Sequence, residues 1–462
     1  MFTLLSAIPH SYLGNRRLVP AMFAVAILAS CGGSPPRTPS SPVPTAPVND
    51  ASQVVDIVAP QSRDWSGQVP IARLVAAAEA SHPTRAAIVA AQAKAVALVS
   101  QAGAWENPEL ELKVGRTKPR VDDLERDQPY GGSLSQRLSW WGKRNARIAA
   151  ARAQQQVTEA EGQVALLSLR ADVRRAAIRY AAAIDAATQA EEDSRIANEL
   201  AMMTKTKAAV GEADRSSVAR AALEAATSAL HRDARRREAV TALTVLRTWC
   251  DPGLPDHLVV ADAFADTTAL TDATSLAVAA ERHPQLRALA EVAAAATATI
   301  AAERQARLPD LTIGVFADRE ADKDTYGATL GFEVPLWNRN EGGIAAAEAA
   351  QAQARATARS ERLRLQRDLA EALGAVQTAQ GEATALREQA VPVADEAIQL
   401  RTTAFQTGDA SLADLLEARR AANVVRAELR DARRRAALAV VDLGLAVGDP
   451  ALGLVTTEQP RP

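Results

Sequence analysis

The chain states one pattern twice. His82-Pro83 follows an alanine-rich helical stretch, and His283-Pro284 follows another. Asn107-Pro108-Glu109-Leu110 has its counterpart in Leu308-Pro309-Asp310-Leu311. Tyr130-Gly131-Gly132-Ser133-Leu134 and Trp141 recur 196 residues later as Tyr326-Gly327-Ala328-Thr329-Leu330 and Trp337. Gly211 recurs 197 residues later as Gly408. A spacing of roughly 200 residues is too long for a solenoid and describes a duplicated, domain-sized unit. Each copy reads as helix, two short strands, very long helix, turn, helix.

Composition narrows how such units pack. Hydrophobic residues make up 48% of the chain but aromatics only 3%, so alanine supplies the apolar content. That balance suits long, closely packed helices better than a bulky globular core. The net charge of −2 gives no electrostatic basis for binding nucleic acid. After residue 31 no stretch reaches the roughly 18–20 uncharged apolar residues of a transmembrane helix, so any membrane crossing falls to strands.

The N-terminus carries an address. Arg16-Arg17 precede an apolar run from Leu18 to Ala29, broken by Pro20, and small residues follow in Leu28-Ala29-Ser30-Cys31-Gly32. This is the layout of a secretory signal over residues 1–30. The Leu-Ala-Ser-Cys order resembles the bacterial lipobox, which implies acylation of Cys31 and anchoring to a lipid surface. An ordinary cleaved signal with an incidental cysteine is the other reading. Residues 31–70 are rich in Pro, Ser and Thr and read as an extended tether. Cys250 reads as a lone thiol in a connector.

Within the first repeat, 71–249, a helical period starts near Ile71 and is interrupted at Pro83. Glu109-Leu110-Glu111-Leu112-Lys113-Val114 then alternates strictly, as a strand with two unlike faces does. With the weaker alternation of Ser133–Leu138 it predicts a hairpin over 109–140, whose tip is the charged loop Asp122–Asp127. A long helix over 143–207 and a return helix over 214–247 follow. A connector, 250–272, leads to the second repeat, 273–448. That repeat predicts a hairpin over 310–336, a long helix over 343–406 and a return helix over 412–445, before a tail at 449–462. Helices of about 64 residues reach roughly 95 Å and are coiled-coil-like. Four strands cannot close a barrel around a channel, and their apolar faces have little sequence left to cover them. Either they form a small soluble sheet, or several chains pool them into one barrel with a lipid-facing exterior.

Barrel hairpins, helical arms of this length, a duplication and a lipobox together resemble the outer-membrane efflux protein family, of which TolC is the best known. The resemblance spans about residues 71–450. It implies a mainly α fold with a small β part. Each protomer would contribute long antiparallel coiled-coil helices and four strands, and three protomers would complete a 12-stranded outer-membrane barrel. The implied partners are two further copies, a periplasmic adaptor, an inner-membrane resistance-nodulation-division pump and outer-membrane lipid. The family's turn motif matches Phe405, Gly408, Leu412, Asp414, Leu415, Leu416 and Glu417, which makes Phe405, Gly408 and the matching Gly211 adaptor-docking turns. Ser135–Arg144 resembles the heavy-metal branch and marks Trp141, Gly142, Lys143 and Trp337 as the barrel-to-helix corner. Asp414 and Glu417 share a helix face, and their counterparts in the first repeat are Ser217 and Arg220. The resemblance places the two acids at a periplasmic gate. A solvated helix-start pair is the alternative. Ala410 stands where the best-known member has a closure arginine, so the closing network here differs or is looser.

No catalytic constellation, cofactor motif or metal-ligand spacing occurs. His82 and His283 read as helix-end caps, and the adjacent Met202-Met203 as packing residues. The leading reading is a passive exit duct for heavy-metal cations. A multidrug or type I secretion duct, or a non-channel periplasmic spacer, are the alternatives.

Overall fold

The computed structural model describes residues 65–116, 128–139, 142–264, 273–320 and 323–449. Cys31, Trp141, the loop around Asp122–Asp127 and most of the expected signal, tether and tail lie outside the described residues. The helices of the first repeat are α1 (Ile71–Ser81), α2 (Pro83–Ala102), α3 (Lys143–Ala209) and α4 (Arg215–Trp249). Those of the second are α5 (Ala273–Ala280), α6 (Pro284–Ala306), α7 (Glu341–Ala385), α8 (Val391–Thr407) and α9 (Leu412–Val447). Six strands complete the described elements: β1 (Gln68–Val69), β2 (Glu109–Val114), β3 (Tyr130–Leu138), β4 (Val259–Val260), β5 (Leu311–Arg319) and β6 (Asp324–Phe332).

Helix α3 runs for 67 residues, about 100 Å. Its counterpart is not uniform. Between α7 and α8 lies a π turn, Leu386–Ala390, followed at once by Pro392. A proline inside an α-helix loses one hydrogen bond and collides with the carbonyl four residues back, and a wider turn relieves both. A π turn also absorbs one extra residue. The repeat spacing grows from 196 at Trp141/Trp337 to 197 at Gly211/Gly408, so one residue was gained between them.

The two His-Pro pairs are the joints of this architecture. Each histidine caps the helix that its proline begins. The Nδ1 of His82 accepts the Thr84 amide at 3.2 Å, and that of His283 accepts the Gln285 amide at 3.0 Å. Each also meets the end of a return helix. The His82 ring stacks on Trp249 at the end of α4, with centroids 5.4 Å apart. His283 Nε2 donates to the Leu445 carbonyl near the end of α9, at 2.9 Å. Thus α4 continues into α2, and α9 into α6, as stacked columns. Side by side the columns run α4/α2, α3, α9/α6, α8/α7.

The strands repeat that order. β2 follows α2, β3 precedes α3, β5 follows α6 and β6 precedes α7, and the sheet runs β2-β3-β5-β6, antiparallel throughout. The sequence pattern shows two hairpins; the β3–β5 ladder fuses them into one sheet. Register places Leu110 opposite Leu134, Leu134 opposite Val315 and Val315 opposite Ala328. One face therefore collects Leu110, Leu112, Val114, Leu134, Ile313, Val315, Leu330 and Phe332, all exposed. The other carries Glu111, Ser133, Arg137, Thr312, Thr325 and Thr329. One chain supplies an open sheet whose outer ladder positions, on β2 and β6, pair with nothing among the described residues.

The main core lies midway along α3. Leu169, Val173, Ile178 and Tyr180 pack there against Trp65, Val69, Leu74, Leu246 and Leu258. The Tyr180 hydroxyl donates to the Leu258 carbonyl at 3.0 Å. Cys250, a free thiol at the start of the connector, is buried in this core at 4% exposed. The connector also contributes β4, which pairs in parallel with β1.

His283 gives the α6–α9 joint a pH dependence. It is 5% exposed. Its carbonyl partner fixes the proton on Nε2, so Nδ1 is the acceptor. Burial lowers its pKa from the ordinary value, against smaller raising effects from the Leu445 bond and Glu361. Asp368, Glu371, Asp442, Arg364 and Arg435 face the same cavity. A lowered histidine pKa contributes stability that is complete above the unfolded value, about 6.5, and declines as pH falls below it. Thermal unfolding of the detergent-solubilised chain is expected to lose midpoint between pH 7.5 and 5. His283→Asn, which keeps an acceptor without titrating, should lose less. Equal pH slopes would exclude this joint as the sensor.

Candidate functional site

The helical tips are where the sequence concentrated its candidates. Both turns use a glycine in the left-handed region, Gly211 at φ 82° and Gly408 at φ 89°. At the second turn the Asp409 and Ala410 amides both donate to the Ala404 carbonyl, at 2.8 and 3.1 Å, which closes the end of α8. Ser411 then begins α9 with a reciprocal capping box. Its hydroxyl oxygen accepts the Asp414 amide, while the Asp414 carboxylate accepts the Ser411 amide at 3.0 Å and hydroxyl at 2.8 Å. At the first turn Asp214 caps α4, accepting from the Ser217 amide and the Ser216 hydroxyl.

Asp414 is thus a structural cap as well as a gate candidate. The Ser411 hydroxyl, then its amide, hold the carboxylate below its usual pKa. Six acids crowded round an opening would raise some pKa values; within one chain the cap dominates and lowers this one. Glu417, one turn further on, is exposed. Of the first-repeat counterparts, Ser217 serves the Asp214 cap and Arg220 is exposed.

The two tips interlock. Leu412, Leu415 and Leu416 of α9 are buried against Leu200 of α3 and Ala221 of α4. Phe405 packs on this cluster, with Lys207 Nζ 4.9 Å from its ring centroid. Arg420 of α9 pairs with Glu224 of α4 at 2.5 Å. With Ala410 at the turn, this pair and the leucine cluster join the tips. Lys207 and Glu224 were not among the sequence candidates, because isolated charges on long helices read as solvated faces. Met202 and Met203 are 73% and 42% exposed and pack in no core. Among the described residues no His, Cys, Asp or Glu group could hold a metal ion, and no helix is long and apolar enough to cross a membrane.

At the other end of α3, Gly142 turns the chain from β3 into the helix at φ 78°. Lys143 Nζ sits 2.8 Å from Asp310, and both are 13% exposed. Arg137 reaches Asp310 at 3.3 Å and Glu333 at 3.4 Å, so both hairpins are tied to one corner. Trp337, beyond the end of β6, is 95% exposed.

An open amphipathic sheet above long paired helices is the known design of one group of proteins. The model of the outer membrane efflux protein family matches residues 74–248 and again 276–449. The chain belongs to the outer membrane efflux protein family. The two matched segments are the two repeats. The chain is 26% identical over 343 residues to the cobalt-zinc-cadmium resistance protein CzcC of Cupriavidus metallidurans, covering 70% of this chain and 76% of that protein. Its fold matches crystal structures of CusC, with a TM-score of 0.71 at 19% identity over 89% of this chain and 99% of that one. It also matches the outer membrane protein VceC of Vibrio cholerae, with a TM-score of 0.65 at 19% identity over 82% and 96%. Its localisation is accordingly the outer membrane, and among the described residues no element covers the apolar sheet face.

Proposed function

We propose that three copies of this chain form a passive exit duct for heavy-metal cations in the outer membrane. The carrying observation is the open four-stranded sheet with one mainly apolar face on which Leu110, Leu112, Val315, Leu330 and Phe332 are exposed. Lipid accounts for the face, and pairing with further copies accounts for the edges. Three chains give twelve strands and, below them, twelve helical columns. The Gly211 and Gly408 turns dock a periplasmic adaptor, which joins the duct to an inner-membrane pump of the resistance-nodulation-division type. That pump supplies the energy. Acylated Cys31 holds the chain at the membrane, while Trp141, Gly142, Lys143 and Trp337 form the corner where barrel becomes tunnel. The metal cargo rests on the likeness to CzcC. Asp414 and Glu417, three copies of each, ring the periplasmic opening and draw cations towards it. Asp414, held ionised by its cap, contributes charge at neutral pH.

Two measurements test this. Deleting the gene should sensitise its host to cobalt, zinc or cadmium, and the wild-type chain should restore tolerance. In planar bilayers, the Asp414→Ala/Glu417→Ala protein should show lower cation-over-anion selectivity and a larger leak than the parent. Unchanged metal tolerance would remove the cargo, and identical channels would remove the gate.

A further inference from the structure

We propose that Arg144 and Trp105 bind the phosphate group of a phospholipid at the periplasmic boundary of the membrane. This rests on the membrane-inserted sheet proposed above and adds a headgroup site beside it.

The two side chains meet where sheet gives way to helix. Trp105 lies between the end of α2 and the start of β2, and Arg144 lies in the first turn of α3, after β3. The guanidinium carbon of Arg144 stands 5.4 Å from the Trp105 ring centroid, and its Nε donates to the Gly103 carbonyl at 2.7 Å. Both partners are neutral, so the guanidinium is oriented without losing its charge. Among the described residues no carboxylate pairs with it, and the first turn of α3 holds no acid. Trp105 is 60% exposed. The acids close by are engaged elsewhere: Glu106 and Asp310 belong to the corner network of Arg137, Lys143 and Arg147. Lys143 and Arg147 are four apart and share one face of α3, whereas Arg144 turns to the end of α2.

The second repeat shows what would satisfy Arg144 from within. Under the spacing of 196 at Trp141/Trp337, Arg144 corresponds to Asn340. Under the spacing of 201 at His82/His283, Ala102 corresponds to Glu303. Asn340 Nδ2 donates to the Glu303 carbonyl at 3.0 Å and to its carboxylate at 2.6 Å. Arg144 makes the same reach, from the start of the long helix to the end of the one before it. In the first repeat, however, the donor is a cation and the matching acid is alanine. The guanidinium therefore keeps a fork of N–H groups whose geometry fits two phosphate oxygens.

Position selects the ligand. On β2 the apolar face begins at Leu110, shortly after Trp105, and the long helices start just beyond this end of the sheet. Phosphates of a bilayer lie at that depth, between hydrocarbon and water. An indole, with an apolar body and one N–H donor, suits this layer, and a basic group beside it draws anionic headgroups. A free anion would satisfy the guanidinium but leave the indole uncovered.

The test uses purified full-length protein in a non-ionic detergent, with bound lipid counted by native mass spectrometry as phosphatidylglycerol is added. The parent should hold one tightly bound phosphatidylglycerol per chain, and should not hold diacylglycerol, which lacks the phosphate. Arg144→Gln, which can still donate to Gly103, should need about tenfold more lipid for the same occupancy. Ala102→Glu supplies the acid of the second repeat while leaving Arg144 in place, and should weaken binding by a similar factor. Equal uptake by the parent and both variants overturns the site. An excess of inorganic phosphate should displace none of the lipid; displacement would make this a site for free anions and overturn the lipid assignment. Membrane fractionation separates this site from the reading beneath it. If the parent is missing from the outer membrane, the inserted duct fails; if it is present and the variants bind lipid as the parent does, the headgroup site alone fails.

Discussion

Leu330→Arg is expected to keep the chain out of the outer membrane. Leu330 lies on β6 opposite Ile313, on the apolar face one ladder level above its helix-side end, and is 71% exposed. Among the described residues no other element covers that face, so the substitution disturbs little internal packing. Its cost arises only against lipid. Arginine on the lipid face of a barrel costs up to about 2–4 kcal/mol at the midplane and less towards the interfaces, and each of three chains would carry one. Thr325→Arg is the control: Thr325 lies on the polar face opposite Asp318, where water or a counter-charge receives the guanidinium. Membrane fractions should contain the Thr325 variant at the parent's level and be strongly depleted of the Leu330 variant. If both fractionate like the parent, the apolar face does not meet lipid.

How much of this could be read beforehand varies with the kind of signal. The apolar face was legible because period-two alternation over β2, β5 and β6 is strong. The long arms were legible because alanine-rich stretches of that length almost without proline favour little else. The pairing of β3 with β5 was not, since register between segments far apart depends on how the repeats sit together. Nor were β1 and β4, whose two residues each are too short to show a period. The burial of Cys250 was not legible, because it depends on α3, α4 and α1 meeting around the connector. The π turn left a trace that went unread: the repeat spacing gains one residue along a helix that contains Pro392. At the tips, Ser411-x-x-Asp414 already spells a capping box. Its structural use competes with the gate reading for the same acid, and only the geometry shows how fully Asp414 is engaged. The corner network of Lys143, Arg137 and Asp310 escaped because charges at strand ends read as solvated until two hairpins converge on them.

Gly408→Val is expected to reduce metal tolerance to that of a strain lacking the protein, while leaving the amount in the membrane unchanged. A Cβ at Gly408 would touch nothing within 4 Å, so steric overlap with neighbours is not the cause. The cost lies in the backbone. At φ 89° an L-residue is strained by roughly 1–2 kcal/mol, and β-branching adds to it. Relief comes by swinging φ negative, which extends α8. That movement pulls the Asp409 and Ala410 amides from the Ala404 carbonyl and displaces Ser411 from the start of α9. The turn proposed to meet the adaptor then points elsewhere, although the sheet at the far end of the molecule is untouched. Asparagine tolerates the left-handed region better than other non-glycine residues, so Gly408→Asn should retain most of the tolerance. The pair separates conformation from bulk: if asparagine fails as badly as valine, the surface must be intolerant of any side chain. If valine is as tolerant as the parent at equal membrane levels, the second tip does not dock the adaptor.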